Sequence, residues 1–188
     1  MRKFFTLLWL LCPVAALYYH YNEGQDQLAR MEAQKHVEEI REAEQIAEPD
    51  WAQIIEEYDK LDGKLPRDER PLVRHQIQLA KSKARLEMLD VAMAAEELTR
   101  LLQETAQTHG ENAAITRAVR ETLGKAHYYA AYLLKTSGAA ESEWRPYAER
   151  TRQIFRFLAE HQEPGALANY EERVAAEFQK TISSKQSP

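Results

Sequence analysis

From residue 50 onward, apolar residues recur at helical spacing along successive segments of the chain. The segments are separated by glycine, by proline, or by the aspartate and asparagine residues that favour helix N-termini. This spacing places the apolar side chains on one face of an α-helix, and no segment shows the sustained alternation that is typical of a β-strand. The pattern therefore predicts an all-α fold.

The end signals divide this region into six predicted helices. Asp50 is followed by Gln53 at the spacing of a capping box, and Gly63 is expected to close that helix. Asp90 and Asn112 are expected to cap two of the later helices. The predicted bounds are 50–62, 71–88, 90–108, 112–136, 142–162 and 166–182.

The amino-terminal segment is apolar and follows two basic residues, Arg2 and Lys3. Residues 4–22 contain no Asp, Glu, Lys or Arg, which is close to the length of about 20 residues that a membrane-spanning helix needs. Two interpretations are open, an uncleaved anchor over residues 1–21 or a cleaved secretory signal that ends near Ala16. The tyrosines that follow Ala16 favour the anchor, because aromatic residues collect at membrane interfaces.

Either interpretation exports the rest of the chain. Because Arg2 and Lys3 hold the N-terminus in the cytoplasm, we expect the residues after Tyr21 to lie on the other side of the membrane. The single cysteine, Cys12, lies in the apolar segment, so no intramolecular disulfide is available. The sequence therefore predicts a bacterial inner-membrane protein with a single span and a C-terminal domain in the periplasm.

Charge divides the exported part further. Residues 22–48 carry eight acidic and three basic residues, and we interpret them as an acidic helical stalk or first helix that is only partly buried. Residues 49–182 form the predicted helical domain. Residues 183–188 are polar and are expected to form a frayed tail.

Several function classes are disfavoured by the sequence. The formal net charge of -5 argues against a nucleic-acid-binding protein. The sequence contains no phosphate loop, zinc-binding His-Glu-x2-His helix or nucleophile elbow. The nearest metal-like grouping is His36 with Glu39, and a di-iron bundle needs matching sets on other helices. We therefore expect no enzymatic activity, no cofactor and no metal site.

The segment 84–102 resembles the middle of a tetratricopeptide repeat, in which two antiparallel helices pack against each other. Ser82 takes the small position of the first helix, and Ala94 and Leu98 match the second helix. Leu89 stands where the family usually has glycine, so the match is degenerate.

A second partial match lies at Leu123 and Gly124, with Ala159 and Pro164 late in the partner helix. The resemblance implies antiparallel hairpins stacked as a short solenoid, with residues 166–182 as a C-terminal capping helix. A plain bundle of the same helices is the alternative architecture. The implied helix pairs are 25–47 with 50–62, 71–88 with 90–108, and 112–136 with 142–162.

Two groups of side chains are candidate binding surfaces. Tyr128 and Tyr132 lie one helical turn apart and outside the apolar stripe, where they would line a peptide groove or pack on a neighbouring helix pair. A second face carries arginines near aromatic residues; it would suit an acidic partner or anionic lipid, or would only be solvated. The resemblance nominates for the groove Gln76, Lys83, Glu121, Lys125, Tyr128 and Tyr132, and the second face comprises Arg145, Arg152 and Arg156.

These features predict a membrane-anchored periplasmic scaffold that binds other envelope proteins or peptides. The chain also resembles the small anchored proteins that accompany membrane-bound von Willebrand A-type proteins and their AAA+ partners. This resemblance implies partners of that class. The membrane would be contacted through residues 4–21, and no nucleic-acid partner is expected. The alternative function is that of a cleaved, soluble periplasmic helical bundle that binds a small ligand or a metal.

Overall fold

A computed structural model describes residues 31–65, 71–162 and 166–186 of the chain. These residues form helices joined by short connections, and no strand occurs among them, so the all-α prediction is confirmed. The first helix, α1, is described over residues 31–44. The others are α2 (Trp51–Lys64), α3 (Pro71–Glu87), α4 (Val91–His109), α5 (Ala114–Thr136), α6 (Glu141–Gln162) and α7 (Ala166–Gln186).

Consecutive helices pack against each other along the chain. From α2 to α7 each helix contacts the next, and α3 also contacts α5, as α5 contacts α7. The first helix, α1, joins this arrangement through Ala33 and Ile40, which are buried against Ile54 and Leu61 of α2. The helix predicted as a C-terminal cap therefore lies against both α5 and α6.

The hydrophobic core has two parts that meet on α3. Ile77 and Ala84 of α3 belong to the part shared with α1 and α2. Leu79 and Leu86 belong to the part that extends through α4, α5, α6 and α7. Because α3 is buried on two sides, a single apolar stripe describes it incompletely. Met88, just past the end of the helix, is exposed.

The predicted start of α2 is confirmed in detail. The backbone N–H of Gln53 donates to Asp50 Oδ1 at 3.1 Å, as the capping-box spacing indicates. Asp90 also stands at a helix start, that of α4, but its side chain makes no capping hydrogen bond. Its carboxylate accepts from Arg85 Nη1 at 3.1 Å instead. The ion pair across the α3–α4 turn thus takes the place of the cap.

Three other expected helix ends were wrong. Gly63 lies inside α2, which ends at Lys64 with Leu65 as its C-cap. Asn112 does not cap α5, because the N-cap position is taken by Ala113. The last helix runs on to Gln186, so helical structure continues past residue 182, where a frayed tail was expected.

The turn between α3 and α4 is closed by Leu89 in the left-handed conformation, with φ of 61°. The Leu89 N–H donates to Leu86 O at 2.9 Å, and the Asp90 N–H donates to Arg85 O at 3.0 Å. This pair of bonds is a Schellman motif, whose left-handed position is usually glycine. A residue with a Cβ pays about 1–2 kcal/mol there. The leucine side chain is partly buried against the core, which offsets part of that cost.

The amino-terminal predictions fall outside this description. The expected anchor at residues 1–21 and the start of the acidic stalk precede residue 31, where the described structure begins. Within the described ranges, no helix is both long enough and apolar enough to cross a membrane. The helical part of the acidic segment is only partly buried, since Val37 is 48% exposed.

Candidate functional site

The last helix, α7, lies across the face of α5 that was predicted to form a groove. Lys125 Nζ donates to Glu177 Oε2 at 2.7 Å, and Arg173 Nη2 donates to Glu121 Oε1 at 2.9 Å. These two ion pairs run in opposite senses, so each helix contributes one cation and one anion. The predicted groove residues Glu121 and Lys125 are therefore engaged within the chain.

The two tyrosines of the predicted groove form an aromatic group with Phe178 of α7. The Phe178 ring centroid lies 4.8 Å from that of Tyr132 and 6.1 Å from that of Tyr128. Phe178 is fully buried, whereas the two tyrosines are half-buried. The Tyr132 hydroxyl accepts from Gln179 Nε2 at 3.2 Å. One side of each ring thus packs on α7.

The other side of these tyrosines contributes to a cleft of about 490 Å³ between α5, α6 and α7. Each of the three helices supplies one alanine to its lining. Because an alanine side chain ends at Cβ, the helices leave unfilled space where these residues meet. We call this site the aromatic cleft; its lining residues are Tyr128, Ala131, Tyr132, Lys135, Trp144, Ala148, Thr151, Arg152, Glu172 and Ala175.

Charged groups accompany the aromatic rings of the cleft. Lys135 Nζ lies 5.2 Å from the centroid of the Trp144 ring, a cation–π contact that holds the ammonium beside the indole. Arg152, on the same helix as Trp144, is exposed, and Glu172 of α7 is the acidic residue of the described lining. The cleft therefore combines aromatic walls with two cations and one carboxylate.

The structure brings together only part of the two predicted surfaces. Tyr128 and Tyr132 from the groove and Arg152 from the second face line the same cleft. Gln76 and Lys83 are exposed on α3 and do not contribute to its described lining. Neither is tested as a binding residue by the described contacts, and they form the alternative surface with which the cleft is compared below.

The remaining arginines of the second face lie outside the described cleft lining. Arg145 donates to Glu141 Oε1 at 3.0 Å and to Glu149 Oε1 at 3.1 Å, so its charge is balanced along α6. Arg156 is exposed one turn beyond Arg152. These positions show that the arginine spacing predicted a common helix face, but not which residue reaches the cleft.

Sequence patterns did not indicate Lys135 or Glu172 as site residues. Lys135 follows Tyr128 by two helical turns, which is a signal for its presence on the same face of α5. Glu172 has no such signal, since its place in the cleft depends on how α7 packs. Residues brought together by tertiary structure cannot be recognised from spacing within one helix.

The metal-like grouping in the acidic segment is part of a polar cluster between two helices. His36 Nδ1 lies 3.3 Å from Glu39 Oε2 and 3.5 Å from Glu57 Oε2, while Lys64 Nζ lies 2.6 Å from His36 Nε2. These contacts join α1 to α2. In the part of the chain that the structure describes, no group of three or more His, Cys, Asp or Glu side chains is arranged to hold a metal ion.

His127 is buried between α5 and α6, away from the described cleft lining. Burial, and secondarily the charge of Arg150, lowers the pKa of His127 from 6.5 to about 4. Its ring centroid lies 5.9 Å from that of Tyr147. The imidazole is consequently neutral at neutral pH and packs as part of the protein interior.

Comparison of the sequence and fold with known proteins gave no matching family model, no similar curated protein and no similar solved structure. The function is accordingly argued from the residues and the geometry of the cleft.

Proposed function

We propose that this protein is a membrane-anchored periplasmic scaffold that binds segments of other envelope proteins in the aromatic cleft. The observation that carries the proposal is the convergence of Tyr132 from α5 and Trp144 and Arg152 from α6 on one open cleft. Tyrosine, tryptophan and arginine are the residues most enriched where binding energy is concentrated in protein interfaces.

The chemistry of the lining favours binding over catalysis. The described lining residues supply aromatic rings, three hydroxyls, two cations and one carboxylate, but no histidine or cysteine. The Thr151 hydroxyl donates to the backbone oxygen of Tyr147 at 3.0 Å, as expected of a helical threonine. It therefore has no adjacent general base of the kind that activates a hydroxyl nucleophile. We accordingly propose a non-enzymatic role.

Three structural features support the tetratricopeptide-like interpretation. The first helices of successive predicted pairs, α3 and α5, contact each other. Leu89, at the family's glycine position, adopts the left-handed conformation that explains the usual glycine. Gly124, part of the second partial match, lies where α5 and α6 approach closely. Stacked hairpins of this kind present extended surfaces for protein binding.

An anchor at residues 1–21 would hold the cleft near the periplasmic face of the inner membrane. Partners would then be other envelope proteins, with the von Willebrand A-type membrane proteins as the class that the sequence resemblance implies. Mass spectrometry of the mature N-terminus tests the anchor. An intact N-terminal segment supports it, whereas a mature chain that starts at Leu17 would contradict it.

Site-directed photocrosslinking in intact membranes tests the proposed binding site. A photoreactive amino acid is placed at Arg152, in the cleft, or at Lys83, an exposed position on α3. We expect a discrete adduct with an envelope protein from position 152 and none from position 83. Adducts of equal yield at both positions, or from position 83 alone, would contradict the assignment of the cleft.

A further inference from the structure

The aromatic cleft carries information about the chemistry of its occupant. We propose that the cleft accepts an acidic peptide segment of a partner protein, and that this segment carries one bulky aromatic side chain. The proposal rests on the scaffold function and specifies the chemistry of the partner. The aromatic side chain fills the space between α5, α6 and α7, and the flanking carboxylates face Lys135 and Arg152.

The size and lining of the cleft indicate an aromatic side chain. Its volume of about 490 Å³ is far larger than the ~30 Å³ that one water molecule occupies, so a side chain with part of its backbone fits. Ala131, Ala148 and Ala175 line it, one from each helix, and their short side chains occupy little of the space. Tyr132 and Trp144 present rings to it, and aromatic pairs gain energy beyond their buried area when they pack edge-to-face or offset.

Local charge indicates that this segment is acidic. The described lining carries two cations, Lys135 and Arg152, against one carboxylate, Glu172. Arg145, outside the described lining, already pairs with two glutamates of its own helix and is not counted as a third cation. Lys135 is held beside the Trp144 ring, so its charge stays at the cleft.

The net charge of the described cleft lining is also opposite in sign to the net charge of the whole chain. The protein carries a formal net charge of -5, so its overall field repels an acidic segment. Only where cations accumulate is it attracted, and complementarity of this kind sets specificity and register more than raw affinity. A basic segment would gain no such preference for the cleft.

Binding of a synthetic peptide to the full chain in detergent micelles tests the proposal. The probe is a fluorescein-labelled peptide, Glu-Asp-Trp-Glu-Asp-Leu, measured by fluorescence anisotropy. One control peptide replaces each acidic residue with lysine, and another replaces the tryptophan with glycine. We expect saturable binding of the acidic tryptophan peptide only, with affinity that falls as salt concentration rises. Equal binding of the lysine peptide would overturn the proposal.

Two variants locate that binding in the cleft. Arg152→Glu reverses a cation of the lining, and we expect it to weaken peptide binding at least about tenfold. Arg156→Glu makes the same change one turn further along α6, outside the described lining, and should leave affinity within about twofold. Ala148→Trp fills the cleft and should abolish binding. Circular dichroism checks that Ala148→Trp folds. If it does not fold, the two arginine variants still test where the peptide binds. Equal affinities of Arg152→Glu and Arg156→Glu for the peptide would overturn the proposal.

Failure of this inference is distinguishable from failure of the scaffold function. If position 152 gives an envelope-protein adduct but the acidic peptide binds no better than its controls, the scaffold stands and the acidic-segment proposal is overturned. A second copy of the chain, with its acidic segment 22–48, is the competing occupant. Sedimentation that shows self-association, dissociated by Arg152→Glu but not by Arg156→Glu, would also overturn the proposal.

Discussion

Gly124 of α5 faces Phe155 of α6 so closely that a methyl group on Gly124 would lie 2.7 Å from Phe155 Cε1. The same methyl would lie 3.0 Å from Ile154 Cγ2. Phe155 is fully buried, so its ring cannot relieve the contact by turning outward into solvent without loss of burial. The glycine therefore sets the separation of the two helices that form one wall of the aromatic cleft.

The first prediction is that Gly124→Ala destabilises the protein. Overpacking of a filled core typically costs about 1–3 kcal/mol, which exceeds the gain in helix propensity. Gly63→Ala is the matched control, because it also lies in a helix but has open space around it. That control should stabilise by about 0.5–1 kcal/mol. Urea denaturation of both variants measures the difference, and a stabilised Gly124→Ala would show that the close approach is absent.

The second prediction concerns Leu98, which is 0% exposed at the contact of α4 with the rest of the core. Leu98→Asp places a carboxylate where no solvent reaches, so we expect a loss of several kcal/mol, a large part of the stability of a small domain. Gln103→Asp introduces the same side chain at an exposed position of α4 and should change stability by about 0.5 kcal/mol or less. Thermal unfolding compares them; similar melting temperatures would contradict the packing described for α4.

The third prediction is a pH dependence of stability that arises from His127. Its pKa is about 4 in the folded protein and near 6.5 when unfolded, so the unfolded chain binds a proton first as pH falls. The unfolding free energy therefore decreases between about pH 6.5 and pH 4, by up to about 3 kcal/mol, and the contribution of this residue levels off below.

Comparison with His127→Gln isolates that contribution. His75 also has a lowered pKa, caused by burial and then by His109, and acts in the same direction. For this reason the quantity to measure is the difference between wild type and variant over pH 4–7. We expect the variant to have the flatter profile. Parallel profiles would mean that His127 becomes protonated as readily in the folded state as in the unfolded chain.

The fourth prediction concerns the rings of Tyr128 and Tyr132, which pack on α7 and also line the aromatic cleft. Replacing both Tyr128 and Tyr132 with Ala removes the ring contacts with Phe178, and we expect a clear loss of stability. Truncation of a fully buried aromatic residue costs ~3–5 kcal/mol, and half-buried rings should each cost less. Replacing both with Phe keeps the rings and removes two hydroxyls, of which that of Tyr132 accepts from Gln179. Loss of a hydrogen bond of this kind costs about 1 kcal/mol.

Melting temperature and binding of the acidic peptide are measured on both double variants. The phenylalanine variant should remain folded and bind the peptide with nearly wild-type affinity, because the aromatic surface is retained. The alanine variant should lose both stability and binding. An alanine variant as stable as wild type would contradict the packing of α7 against these rings.

Local sequence signals predicted the helices well where each helix is buried on a single face. The Asp50 and Gln53 spacing located the start of α2 because the cap is made within one turn. The same reasoning was incomplete for α3, where Leu79 and Leu86 are buried on a second side. It was wrong for Asn112, because capping propensity does not fix which residue occupies the cap position.

The candidate site could be predicted only in part for the same reason. Tyr128 and Tyr132 stood out because two amphipathic rings lie outside an apolar stripe. The cleft beside them depends on three alanines from three helices, and no spacing within a helix shows which alanines meet. Glu172 and the contacts made by α7 likewise depend on tertiary packing.

Hydrogen exchange of the full chain tests whether the aromatic cleft binds a partner segment. Exchange is measured by mass spectrometry with and without the partner identified by crosslinking. We expect the protection gained on binding to be concentrated in the second half of α5 and the first half of α6, over residues 128–152. Protection centred on α3 around Gln76 and Lys83, with none over residues 128–152, would contradict it.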